Sequence, residues 1–248
     1  MGDTTLATDN KSNRIVFMDI TASNEMEVTS NMRASLDSII AEPFPKTEDI
    51  LSFFKQYFGM EYGADADVWE RYTIEQHTKM VMGQYDKYFS KDTLPLGVSH
   101  GFFKTVLALH DIGKPEAIKS GGKHLQHRYT SKIMKQTLSD LGFDKREVDI
   151  AVALVSDDCI GNCLKGGDPE LSAQTIRSLA KERNLSPEEL FELMLILYKV
   201  DAGSYTVDAG GLYSLDTLFV FDRENGKMDL STRPLERVNQ LRQLVSRF

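Results

Sequence analysis

The stretch Leu107–Pro115, "LALHDIGKP", decides how the rest of the chain is read, because it ends an apolar run with a basic and an acidic side chain together. Counting back from His110 by three, four and seven residues meets Leu107, Val106 and Phe103, so the histidine continues the buried stripe of a helix and points inward. Asp111 lies ~100° further round the same helix end. Neighbours placed this way can converge on one object approaching from that side. An ionised carboxylate against the core is costly unless it is paired or coordinated, so Asp111 calls for a cationic side chain or a metal ion.

Two other segments carry the same burial logic. His77 in "YTIEQHTKMV" shares a helical face with Trp69, Thr73, Met80 and Val81, and Asp201 in "LILYKVDAGSY" follows Leu197, Met194 and Leu190 at helical spacing. A lone inward histidine reads as a hydrogen-bonded core residue, and a lone aspartate as a helix cap. Three helices that end their core faces in His, His-Asp and Asp read together as a metal site. Two imidazoles and two carboxylates suit a borderline first-row ion, Mn²⁺, Fe²⁺, Co²⁺ or Ni²⁺, better than Mg²⁺. Four protein ligands on a six-coordinate ion leave two positions for a nucleophilic water and a substrate oxygen.

The chain has 248 residues and 41% hydrophobic content, enough for one large or two small domains with a real core. Apolar spacing near 3.6 predicts helices at roughly 47–58, 66–89, 99–112, 125–141, 145–157, 172–184 and 187–205. "SPEE" at 186–189 supplies a cap, a first-turn proline and acidic residues, and Gly142 ends "LSDLG". "RIVFMDI" at 14–20 and "LFVFDRENGKMDL" at 218–230 are instead rich in β-branched and aromatic residues, with Asn225-Gly226 as a hairpin-turn signal. The expected fold is therefore mainly α, a helical bundle with a small β-hairpin or sheet formed near the termini. Its expected organisation is a polar N-terminal segment over 1–30, a helical domain over 31–206 with its core at 66–206, and a C-terminal hairpin and helix over 207–248 packed on the same domain.

Composition excludes some functions. The net charge of −8, from 37 acidic against 29 basic residues with no dense Lys/Arg block, argues against broad nucleic-acid binding but leaves room for a local pocket for one small phosphate. No run of ~18 apolar residues is present to span a bilayer, and the polar start lacks the apolar centre of a signal peptide, so a cytoplasmic location without membrane contact is expected. Cys159 and Cys163 form a lone C-x3-C with no second pair, which reads as reduced, structural cysteines.

The ordered set His77, His110-Asp111, Asp201 on a helical background resembles the HD superfamily of metal-dependent phosphohydrolases over roughly residues 66–206. "HDIGKP" is a familiar form of that signature. "HRYTSKIMKQTLSDLGF" at 127–143 resembles the following helix, in which a histidine precedes a small residue by four, and this carries His127 and Ser131 onto the pattern. The resemblance implies an HD-domain bundle and hydrolysis of a nucleotide or other phosphomonoester by attack of metal-bound water. Asp111, Lys114 and His127 are then the catalytic candidates, and Lys114, His127 and Ser131 the substrate-binding ones. Lys114 would meet a substrate phosphate; a solvated lysine at a helix C-terminus is the plainer alternative. His127 would bind a phosphoryl oxygen, protonate a leaving alkoxide or hold a second metal, or else only support the ligands from behind. The glycine-containing loop "IKSGGKHLQ", with Lys119 and Lys123, fits either a lid over a phosphate or an ordinary surface loop. His100 and His124 have no matching position and read as structural or exposed.

The departures from that family are informative. Dinuclear members, including the HD-GYP cyclic-dinucleotide phosphodiesterases and the di-iron oxygenases resembling myo-inositol oxygenase, place two further histidines between the HD pair and the last aspartate. Here only His127 qualifies, so a second metal would need Asp157 or Asp158, both on plausible helical faces between which periodicity does not choose. A mononuclear site is the simpler reading. A di-iron oxygenase and a catalytically silent HD fold that senses a ligand or partner are the alternatives. The partner expected is a small phosphorylated substrate, with homo-oligomerisation left open.

Overall fold

The computed structural model describes residues 22–66, 71–211 and 215–247. Helix-spaced apolar residues, cut by capping residues, divide the chain into α1 (Ala22–Ile40), α2 (Thr47–Gly63), α3 (Ile74–Tyr88), α4 (His100–Leu109), α5 (Lys114–Ser120), α6 (Gln126–Asp140), α7 (Lys145–Val155), α8 (Cys159–Leu164), α9 (Pro169–Glu182), α10 (Pro187–Gly203) and α11 (Thr232–Val245). A two-stranded antiparallel sheet, β1 (Phe219–Asp222) and β2 (Lys227–Leu230), stands between α10 and α11. The fold is mainly helical, as expected. Among the described residues no helix is long and apolar enough to cross a membrane.

Capping chemistry explains where the helices start. Thr73 accepts from Gln76 N–H while the Gln76 side chain accepts from Thr73 N–H, a reciprocal pair that satisfies two orphan donors of α3. Asp144 and Glu147 repeat the device at α7. Ser186 caps α10, with Pro187 at its first position.

Several boundaries differ from those predicted. The helix expected from residue 66 begins at Ile74, because Asp65 bridges Thr73 and Ala66 N–H donates to the Tyr72 carbonyl, while Arg71 takes a left-handed φ of 59°, all of which keeps 71–73 out of the helix. Trp69 falls outside the described residues, as does the stretch 14–20. α1, which begins at Ala22 within the polar N-terminal segment 1–30, is a helix that the apolar spacing did not predict. Asn225-Gly226 lies in a four-residue connection, not a two-residue turn: Asp222 pairs with Lys227, Asp222 Oδ1 accepts Asn225 N–H, and Gly226 takes a φ of 61°.

One buried apolar cluster contains Leu36, Phe54, Phe103, Leu107, Phe191, Phe219, Leu230 and Leu241, so hairpin and C-terminal helix share the bundle's core. Each such side chain contributes about 1.5–3 kcal/mol by leaving water. Polar ties fasten the surface of this core. Lys104, buried among apolar neighbours, reaches Asp86 and the Pro45 carbonyl. Asp208, in the 3-10 turn Val207–Ala209, receives Lys87 and Tyr88 from α3 and Arg223 from the hairpin connection.

Candidate metal centre

Three helix ends meet at one place. His77 lies in the first turns of α3, His110 immediately after the last residue of α4, and Asp201 in the last turn of α10. His77 and His110 are both buried, and their ligand atoms lie with one from Asp201 all within 4.8 Å of one another. This is a group that can hold a metal ion. The two imidazole Nε2 atoms stand 3.3 Å apart, and Asp201 Oδ1 is 3.0 Å from His77 Nε2 and 3.8 Å from His110 Nε2. Asp111 borders the group, its Oδ2 at 3.5 Å from His77 Nε2 and 4.0 Å from His110 Nε2.

The ring tautomers follow from the outer contacts. His110 Nδ1 lies 2.6 Å from the Leu107 carbonyl, which can only accept, so Nδ1 carries the proton and the neutral ring leaves a bare lone pair at Nε2. Ser204 Oγ donates to the Asp201 carbonyl at 2.6 Å, and its contact with His77 Nδ1 at 3.3 Å is then a bond donated by the ring. Two nitrogen lone pairs and two carboxylates facing one another repel unless a cation sits among them. A metal ion among them would relieve that repulsion, and the group can hold one.

Without an ion, a proton does the same work. Burial pulls His110 toward neutrality, but Asp111 and Asp201 outweigh it and raise its pKa to about 9. Burial likewise opposes ionisation of Asp111, yet Lys114, His110 and His77 bring it down to about 2. Asp201 is held well below the usual carboxylate range, its burial being outweighed by both histidines. The Asp201 side chain keeps 41% of its surface exposed, against 12% for Asp111, so the site opens to solvent on the α10 side.

Lys114 sits at the first position of α5 and is 2% exposed, with Nζ 3.3 Å from Asp111 Oδ2. The alternative of a solvated lysine at a helix C-terminus is thereby replaced by a buried cation beside the cluster. Gly113 makes this turn possible: a Cβ there would come within 2.2 Å of Thr130 N, and Gly113 N–H donates to Thr130 Oγ1. α6 thus lies directly against the His110–Lys114 turn.

The remaining candidates sit outside the group of three. His127 Nδ1 lies 3.1 Å from the Val155 carbonyl, and Ser131 Oγ 3.4 Å from Ser156 Oγ, which places both on the α6 face toward the end of α7. Asp157 and Asp158 are not on a face of α7, which stops at Val155 because Asp158 caps the separate helix α8 by accepting from Gly161 N–H. Asp157 contacts Cys159 and Asn162, and Asp158 also pairs with Lys165. Cys159 and Cys163 are buried and free. Residues 118–126 hold the end of α5, a 3-10 turn at Lys123–Leu125 and the start of α6, with His124 exposed, while His100 Nδ1 meets Tyr85 OH.

Three residues not singled out from sequence belong here. Ser204 and Tyr205 both touch His77, the Tyr205 ring stacking on the imidazole at 5.0 Å between centroids and 27° between planes. Tyr198, one turn before Asp201, has its hydroxyl pKa raised chiefly by burial and further by the charges of Asp158 and Asp201, so it stays protonated. The spacing from Asp201 is the one sequence signal that could have raised them, since all lie within one helical turn of it. Comparisons of the chain with protein-family models, with curated proteins and with solved structures give no match.

Proposed function

We propose that this chain is a metal-dependent phosphohydrolase of the HD type, acting on a small phosphate ester such as a nucleotide or another phosphomonoester. The observation that carries the reading is the convergence of His77 and His110 Nε2, 3.3 Å apart, with Asp201 and Asp111 on a rim that opens to solvent. A divalent ion of the Mn²⁺, Fe²⁺, Co²⁺ or Ni²⁺ kind would be held by His77, His110, Asp111 and Asp201 and would supply Lewis acidity toward the ester and water.

The protein's own groups do the rest. Asp111 and Asp201 neutralise the dication locally, and the buried Lys114 orients Asp111 while adding positive charge beside the place where an anionic ester would sit. His127 keeps its proton at Nδ1 against the Val155 carbonyl, which leaves Nε2 as the nitrogen to meet a phosphoryl or leaving oxygen. Ser131, one turn on from His127, offers a hydroxyl on the same face.

A panel of phosphorylated metabolites, assayed for phosphate release with Mn²⁺, Co²⁺, Ni²⁺ or Fe²⁺ added, tests this reading. Turnover is expected without oxygen, together with about one ion per chain by elemental analysis, and both should be lost in His110→Ala and Asp201→Ala. Turnover that requires iron and consumes O₂ would instead identify a di-iron oxygenase. Metal content unchanged in the two variants would remove the site altogether.

A further inference from the structure

The end of α10 and the two residues that follow it do more than deliver Asp201. Ser204 is fully buried and Tyr205 half-buried, and both face His77, a residue 127 positions from Ser204 in the chain. Ser204 has a single hydroxyl proton, and the Asp201 carbonyl at 2.6 Å takes it, since a carbonyl can only accept. The contact at 3.3 Å is a hydrogen bond only if His77 Nδ1–H donates to Ser204 Oγ. The proton of His77 is thereby assigned to Nδ1 and its lone pair to Nε2, the nitrogen that faces His110 and Asp201. A hydrogen bond at one nitrogen still leaves the ring free to rock about the Cβ–Cγ bond. Tyr205, stacked at 27° on the imidazole, limits that motion from one face.

We propose that Ser204 and Tyr205 are positioning residues for the metal centre, Ser204 by fixing the tautomer of His77 and Tyr205 by fixing its ring plane. The proposal rests on the metal-site reading above. The C-terminal end of α10 with the two residues after it then supplies a ligand, Asp201, and orients a second ligand carried by a different helix. Groups that orient ligating histidines in this way typically change metal affinity by about 10–100-fold.

Zn²⁺ is a suitable probe, being redox-inert and diamagnetic. Competitive titration of wild type, Ser204→Ala, Tyr205→Phe and Tyr205→Leu is expected to show affinity about 10–100-fold weaker in Ser204→Ala and Tyr205→Leu. Tyr205→Phe, which keeps the stacked ring, should stay within about threefold of wild type. In the wild-type Zn²⁺ complex, nitrogen NMR of the histidine rings should show His77 bound through Nε2 with a proton on Nδ1, a readout independent of any variant's folding. Wild-type affinity in Ser204→Ala, or zinc on Nδ1 of His77, overturns the positioning roles while leaving the metal site standing. Failure of the wild type to bind Zn²⁺ overturns the site itself.

Discussion

At the scale of the residue, a proton and any metal ion the centre holds would compete for one pair of nitrogens. In the metal-free protein His110 titrates near 9 against an ordinary value of 6.5, so the stabilisation it draws from Asp111 and Asp201 is complete below about pH 6.5 and disappears as pH rises through 9. Chelated protein should therefore unfold at lower urea concentration at pH 9.5 than at pH 6, and His110→Asn should flatten that difference. Equal midpoints for the wild type at both pH values would show that the carboxylates do not hold the proton. The inward placement of His77 and His110 was legible because each continues an apolar stripe, whereas Asp201, on the same spacing, keeps its side chain 41% exposed at the edge of the core. The burial of Lys114 was not, since a lysine after a glycine carries no mark of whether the next helix turns back into the core. Ser204 and Tyr205 were invisible for a related reason: a serine and a tyrosine at a helix end are common, and only the partner they meet gives them a role.

At the scale of the element, the docking of α6 on the turn after α4 depends on one missing methyl group. A Cβ at Gly113 would come within 2.2 Å of the Thr130 backbone nitrogen, an atom that cannot swing aside as a side chain could. Gly113→Ala should destabilise the fold by about 1–3 kcal/mol, measured by denaturant unfolding, and should weaken metal binding because His110 and Asp111 sit on the displaced turn. A variant with wild-type stability and affinity would show that α6 yields freely. Helix existence was readable from period and caps for α2, α3, α4, α6, α7, α9 and α10 but not for α1, α5 or α8, and element ends less so. "VSDDC" contains no glycine or proline, so the stop at Val155 depends on Asp158 turning its carboxylate to Gly161 N–H, a local competition that periodicity does not report. The start of α3 was displaced for the converse reason, because Thr73 and Gln76 form a reciprocal cap downstream of where the apolar spacing begins.

At the scale of the whole molecule, the two ends of α3 are tied to the same later segment of chain. His77 meets Asp201, Ser204 and Tyr205, while Lys87 and Tyr88 meet Asp208, whose side chain is 2% exposed. Burial pushes the Asp208 carboxyl up, but Lys87, Tyr88 and Arg223 bring it down to about 2 from an ordinary 3.8. Its contribution is thus present above about pH 4 and lost as pH falls toward 2. Asp208→Asn should lower the unfolding midpoint at pH 7 and shrink the loss of stability between pH 4 and pH 2; an unchanged acid transition would mean that other carboxylates govern it. Ser204 and His77 lie 127 residues apart, which bears on the order of events in time. Contacts so distant along a chain carry a large loop-closure cost, and they close after the helices that present them have formed. A cation held by His77, His110 and Asp201 would then act as a latch: finding its ligands already gathered, it would do little to hasten assembly and would lengthen the life of the folded state by resisting separation of α3 from α10.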